Sequence, residues 1–116
     1  MSFANREESA MKSYTDALLL DFYGNLLTDK TRNTLELYLD DDLTLAEIAD
    51  SENISRQGVH DTVKRGLNQL REYEAKLGLA DKFAYQMTII NEAIELIDND
   101  DPAGARALLE ALKTEI

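Results

Sequence analysis

Arg56, Gln57, His60, Lys64 and Arg65 follow one another at steps of one, three, four and one, which gathers them on one side of a helix. Such a row of guanidinium, amide, imidazole and ammonium groups suits recognition by hydrogen bonds rather than bond making. At the helix start Arg56 and Gln57 are placed to reach base edges, Arg pairing best with guanine and Gln with adenine. His60 and Lys64 add base or phosphate contacts, and Arg65 phosphate contacts only. His60 is the single histidine. No motif sets a Ser or Cys nucleophile beside it and there is no glycine-rich phosphate loop, so an enzyme is not expected and no cofactor is predicted.

Two acidic clusters invite a metal and fail on spacing. Asp40, Asp41 and Asp42 are consecutive; their carboxylates point apart in a solvated turn, and no histidine or further carboxylate completes a ligand set. Asp98 to Gly104 has the outline of a calcium loop. There Pro102 occupies a ligand place, glycine comes late, and Leu109 stands where the bidentate glutamate belongs. Neither cluster is predicted to hold a metal.

The polar row must ride on a helix whose opposite side is buried. Val59, Val63, Leu67 and Leu70 recur at steps of four, four and three and supply that stripe. Ser55 caps the helix start, and Gly78 stops it after Leu77. Gly58 and Gly66 lie inside at roughly 1 kcal/mol each relative to alanine, which predicts packing or close backbone approach. Upstream, Thr44 with Glu47 forms a capping box, and Leu45, Ile48 and Ala49 give an apolar face. Ser51-Glu52-Asn53 ends that helix, Asn tolerating a left-handed turn. A short helix, a turn of about three or four residues and a second helix with exposed donors is the helix-turn-helix plan.

Four further helices complete the expected all-α chain. The first runs from Ser9 to Leu27 with Met11, Tyr14, Leu18, Phe22 and Leu26 as its stripe; the second starts at Thr28 and buries Leu35, Tyr38 and Leu39. A helix over Asp81–Ile97 carries Phe83, Met87, Ile90, Ile94 and Ile97 in a seam repeat of coiled-coil type. The last, from Pro102 to about Glu115 with Asp101 as N-cap, turns Ala105, Leu108, Leu109 and Leu112 inward. The organisation predicted is a helix-turn-helix domain over 9–79 and a C-terminal helical hairpin over 80–116. Two apolar stripes on the helix from Asp81 exceed what the short final helix covers, which makes it a dimerisation element and predicts a homodimer.

Composition bounds the function. Of 116 residues 44% are hydrophobic with one Pro, as suits a compact helical protein with a real core. The absence of cysteine excludes disulfides and thiolate metal sites. No apolar run of about eighteen residues and no signal peptide is seen, so a cytosolic protein without a membrane partner is expected. The net charge is −11; by segment it is −8 over 1–54, +3 over 55–71 and −6 over 72–116, and zero over Thr44–Arg71. Since cations releasing counterions supply non-specific DNA affinity, DNA binding by one chain is predicted to be weak and salt-sensitive.

Several short blocks match a known family in order and spacing: Leu26-Leu27-Thr28-Asp29-Lys30, Leu35-Glu36-Leu37-Tyr38, Leu45-Ala46-Glu47-Ile48-Ala49, Ser55-Arg56-Gln57 with Val59, and Val63-Lys64-Arg65 with Tyr73-Glu74. In these the chain resembles the YlxM-like proteins, small bacterial proteins with a helix-turn-helix similar to region 4 of RNA polymerase sigma factors. The resemblance covers roughly Leu18 to Leu79, with no close match beyond. It implies a DNA-binding or regulatory protein and a link to the signal recognition particle pathway that rests, for the family, mainly on gene neighbourhood. The alternative it leaves is an interaction protein that binds the particle's RNA or its GTPase, for which an acidic chain favours a basic protein partner. Glu52 and Asn53 stand where the family tends to have an aromatic residue and glycine, and Gly58 and His60 replace its alanine and tyrosine, which predicts a looser turn.

Overall fold

The computed structural model describes residues 14–115. Among them are six α-helices and no strand: α1 Tyr14–Tyr23, α2 Asp29–Leu35, α3 Leu45–Glu52, α4 Arg56–Leu77, α5 Leu79–Asp98 and α6 Pro102–Glu115. The chain is all-α, as its periodicity predicts. It divides after Gly78 into two compact units.

In the first unit α1, α2 and α3 each pack on α4. Val59, Val63 and Leu70 are wholly buried and Leu67 is 2% exposed, so the stripe predicted for α4 is the spine of this core. Each such side chain stabilises the fold by about 1.5–3 kcal/mol. Gly66 lies on the same stripe. A Cβ there would stand 2.8 Å from Leu35 Cδ1 and 2.9 Å from Thr31 Cγ2, so glycine is what lets α2 cross α4 closely. Gly58 has no such neighbour, a Cβ meeting only Ser55 Oγ at 3.1 Å.

The first helix departs from expectation. α1 ends at Tyr23 and tightens into a 3-10 turn over Gly24–Leu26, and Met11 and the Tyr14 side chain lie outside the described residues. Phe22 and Leu26 are 36% and 57% exposed, whereas Asp16, Leu19, Leu20, Tyr23 and Leu27 are buried. The helix is rotated from the predicted stripe because Asp16 goes inward. Its carboxylate accepts two bonds from Arg71, Nε to Oδ1 at 3.2 Å and a terminal nitrogen to Oδ2 at 2.8 Å. Tyr23 follows it in, donating its hydroxyl to Glu74 Oε1 at 2.6 Å.

After Thr28, whose hydroxyl accepts from the Thr31 amide at 3.3 Å, α2 widens into a π turn over Glu36–Asp40. Leu35 and Tyr38 are fully buried there and Leu39 half-buried. Asp40, Asp41 and Asp42 are exposed. Slight desolvation, with Asp21, Glu36 and Asp41 nearby, holds the Asp40 carboxyl above its ordinary pKa.

The second unit is the pair α5 and α6, which pack together. Asp101 caps α6, accepting from the Gly104 amide at 3.0 Å. Ala93, Ala105 and Leu112 are buried, but Leu109, predicted to face inward, is 41% exposed. α5 meets α6 through the side bearing Ile89, Ala93 and Leu96, residues half-buried or buried. Phe83, Met87, Ile94 and Ile97 are 37–53% exposed.

Candidate nucleic-acid interface

The capping box at the start of α3 is complete. The Glu47 amide donates to Thr44 Oγ1 at 3.1 Å and Glu47 Oε1 accepts from the Thr44 amide at 3.0 Å. Leu45, Ile48 and Ala49 are buried. Asn53 then adopts the left-handed conformation (φ 57, ψ 43), and its amide and that of Ile54 both donate to the Ala49 carbonyl. The turn Asn53–Ser55 is therefore closed rather than loosened. Asn takes the place of glycine because its short polar side chain tolerates positive φ. Glu52 is half-buried and its carboxylate accepts from the buried Thr34 hydroxyl at 3.1 Å, a partner that an aromatic residue would not provide. Ser55 Oγ accepts from the Gly58 amide at 3.0 Å and opens α4.

On α4 the two faces separate. Arg56, Gln57, Lys64 and Arg65 are exposed, and among the described residues neither Lys64 nor Arg65 is held in an ion pair. His60, predicted to be exposed, is half-buried, with 21% of its side chain accessible. It stands roughly a quarter turn from the centre of the buried stripe, at the boundary of the packed face.

Three further features shape this face. Asp61 lies within it, accepting from Gln57 Nε2 at 2.9 Å and standing 3.7 Å from His60 Nδ1. Beyond Arg65 the polar surface continues as a shallow depression lined by Asp61, Lys64, Arg65, Asn68, Gln69 and Glu72. The step of four from Lys64 and Arg65 points to Asn68 and Gln69 and was the available sign. Arg71, counted with the basic segment, is turned to Asp16, so the positive charge of the exposed face is smaller than the segment's +3.

A three-residue turn between two helices, with donors on the outer face of the second, defines a helix-turn-helix protein. A family model described as "Putative helix-turn-helix protein, YlxM / p13 like" matches residues 10–105, and the chain belongs to this family, UPF0122. The match reaches into α6, well past Leu79, where the resemblance read from the sequence stopped. Among similar proteins, a UPF0122 protein of Desulforamulus reducens is 46% identical over 96 residues, which cover 83% of this chain and 82% of that one. One of Acetivibrio thermocellus is 52% identical over 86 residues, 74% of this chain and 71% of its own. A third, of Symbiobacterium thermophilum, is 40% identical over 99 residues, 85% and 92% respectively.

Proposed function

We propose that this protein is a non-enzymatic DNA-binding regulator of sigma region 4 type, acting in the cytoplasm as a homodimer. Arg56 and Gln57 reach base edges, Lys64 and the outer rim of His60 add base or phosphate contacts, and Arg65 binds phosphate. The observation that carries this reading is the closed turn at Asn53, which sets the first two turns of α4 outward while Val59 and Val63 anchor them. No helix among the described residues is long and apolar enough to cross a membrane.

Titration of the full chain with duplex DNA and with signal recognition particle RNA over a salt series tests the reading. Affinity for duplex at low salt that falls linearly in log–log form, by about 0.9 per phosphate neutralised, is expected. No affinity for duplex at low salt overturns it. The second reading, binding to the particle's RNA or its GTPase, is favoured by one observation: the Asp61 carboxylate sits among the donors in a chain of net charge −11, a field suited to a basic protein. Binding to the GTPase or the RNA without binding to duplex would decide for it.

A further inference from the structure

Asp61 stands at the centre of the exposed face of α4. At about 100° per residue it lies opposite the middle of the buried stripe of Val59, Val63, Leu67 and Leu70, and 62% of its side chain is accessible. Gln57, Lys64 and Arg65 all fall within about 60° of it around the helix. A ligand that docks on this face therefore covers a carboxylate. Lys64 and Arg65 follow Asp61 by three and four residues, the spacing of helical ion pairs, yet among the described residues Asp61 pairs with neither. Its Oδ1 accepts instead from the neutral Gln57 Nε2 at 2.9 Å.

That choice of partner orients the amide. A carboxylate only accepts, so Gln57 must turn its nitrogen, and never its oxygen, towards Asp61. One N–H of Gln57 is then taken, and the second N–H and Oε1 remain for a ligand. A donor beside an acceptor is the pair that matches adenine N7 and N6 in the major groove, and Asp61 fixes its order. The carboxylate also acts by its charge. A phosphate placed over Asp61 meets a like charge, which moves phosphates out to Lys64 and Arg65 and leaves the centre of the face to bases.

We propose that Asp61 is a positioning residue for base recognition: it holds the Gln57 amide in the order that reads adenine, and its charge lowers affinity for duplex that offers phosphates alone. This rests on the DNA-binding reading above and adds to it a residue that sets specificity. The two effects have opposite signs. Loss of the carboxylate should strengthen binding to unselected duplex while it weakens the preference for adenine, a combination that a merely structural role for Asp61 does not produce.

Enrichment of a randomised duplex library by the full chain, with affinities on an unselected duplex alongside, tests this. Gln57→Ala should erase one adenine preference of the parent, worth about fivefold or more. Asp61→Ala should weaken the same preference and tighten unselected duplex by roughly two- to fivefold, the worth of one exposed charge contact. Asp61→Asn, which loses the charge and keeps an acceptor oxygen, should share the gain and lose less of the preference. In the double variant Gln57→Ala with Asp61→Ala no further preference should be lost, because the two side chains act as one unit. An adenine preference at parental strength in Asp61→Ala overturns the proposal, and so does weaker binding of that variant to unselected duplex. A parent that binds duplex but enriches no sequence overturns it while leaving DNA binding in place. A parent that binds no duplex overturns the DNA-binding reading too.

Discussion

Asn53 holds the turn on which the interface depends, and it does so at a φ of 57. A residue with a side chain pays about 1–2 kcal/mol in that region, Asn less than most and glycine almost nothing. Asn53→Gly is therefore expected to keep or raise stability by up to about 1 kcal/mol, and Asn53→Val to lower it by about 1–2 kcal/mol, read from urea midpoints. Asp40 gives a second test at this scale. Its folded pKa is raised, by desolvation first and then by Asp21, Glu36 and Asp41, so the folded chain takes up this proton more readily than the unfolded one. The charged form costs stability at neutral pH, and acidification through the raised pKa removes that cost. Asp40→Asn should stabilise the fold at pH 7, by an amount that solvent screening of this exposed group keeps small. The advantage should disappear below the ordinary carboxylate value, where both chains are neutral at this site; an advantage that grew on acidification would contradict the sign.

At the scale of elements, α4 serves two neighbours by different chemistry. Against α2 it offers Gly66, where a methyl group would stand under 3 Å from Leu35 and Thr31. Gly66→Ala should lose about 1–3 kcal/mol by overpacking, in spite of the helix propensity gained. Against α1 it offers Arg71, half-exposed itself, to the buried carboxylate of Asp16. Removing the guanidinium leaves that carboxylate short of two bonds, so Arg71→Ala should cost about 2 kcal/mol of unfolding free energy. Because Arg71 is turned to Asp16, the same substitution should leave the salt dependence of duplex binding unchanged. A slope reduced by about one would place Arg71 on phosphate instead.

For the whole molecule the governing fact is an acidic chain with a narrow basic face. If duplex DNA is bound, Arg56→Ala should lose about 1–3 kcal/mol for a preferred site and little on random sequence, whereas Lys64→Ala should weaken all sequences alike and lower the salt slope by about one. Anisotropy titrations with specific and random duplexes separate the two, and equal losses would mean that no base is read. With the net charge at −11, two copies acting together gain affinity by effective concentration without any new base contact.

Local chemistry made much of this protein legible from residues alone. Thr44 with Glu47, Ser55, Asn53 and Gly78 mark where α3 and α4 begin and end, because caps and left-handed stops are satisfied within a few residues of chain. The stripe of Val59, Val63, Leu67 and Leu70 was readable for the same reason: a helix with a single buried side leaves one consistent period. The rotation of α1 was not, since apolar residues at three-and-four spacing occur on two of its sides and the choice falls to Asp16, whose burial makes sense only beside Arg71, 55 residues away. His60 at the boundary of the packed face was likewise decided by how α4 is seated. The row on α5 was visible as a pattern, but that α6 would take the neighbouring side and leave Met87, Ile94 and Ile97 more than a third exposed depended on where the hairpin closes. Sequence spacing specifies which side chains share a side of a helix; only packing selects which side is covered.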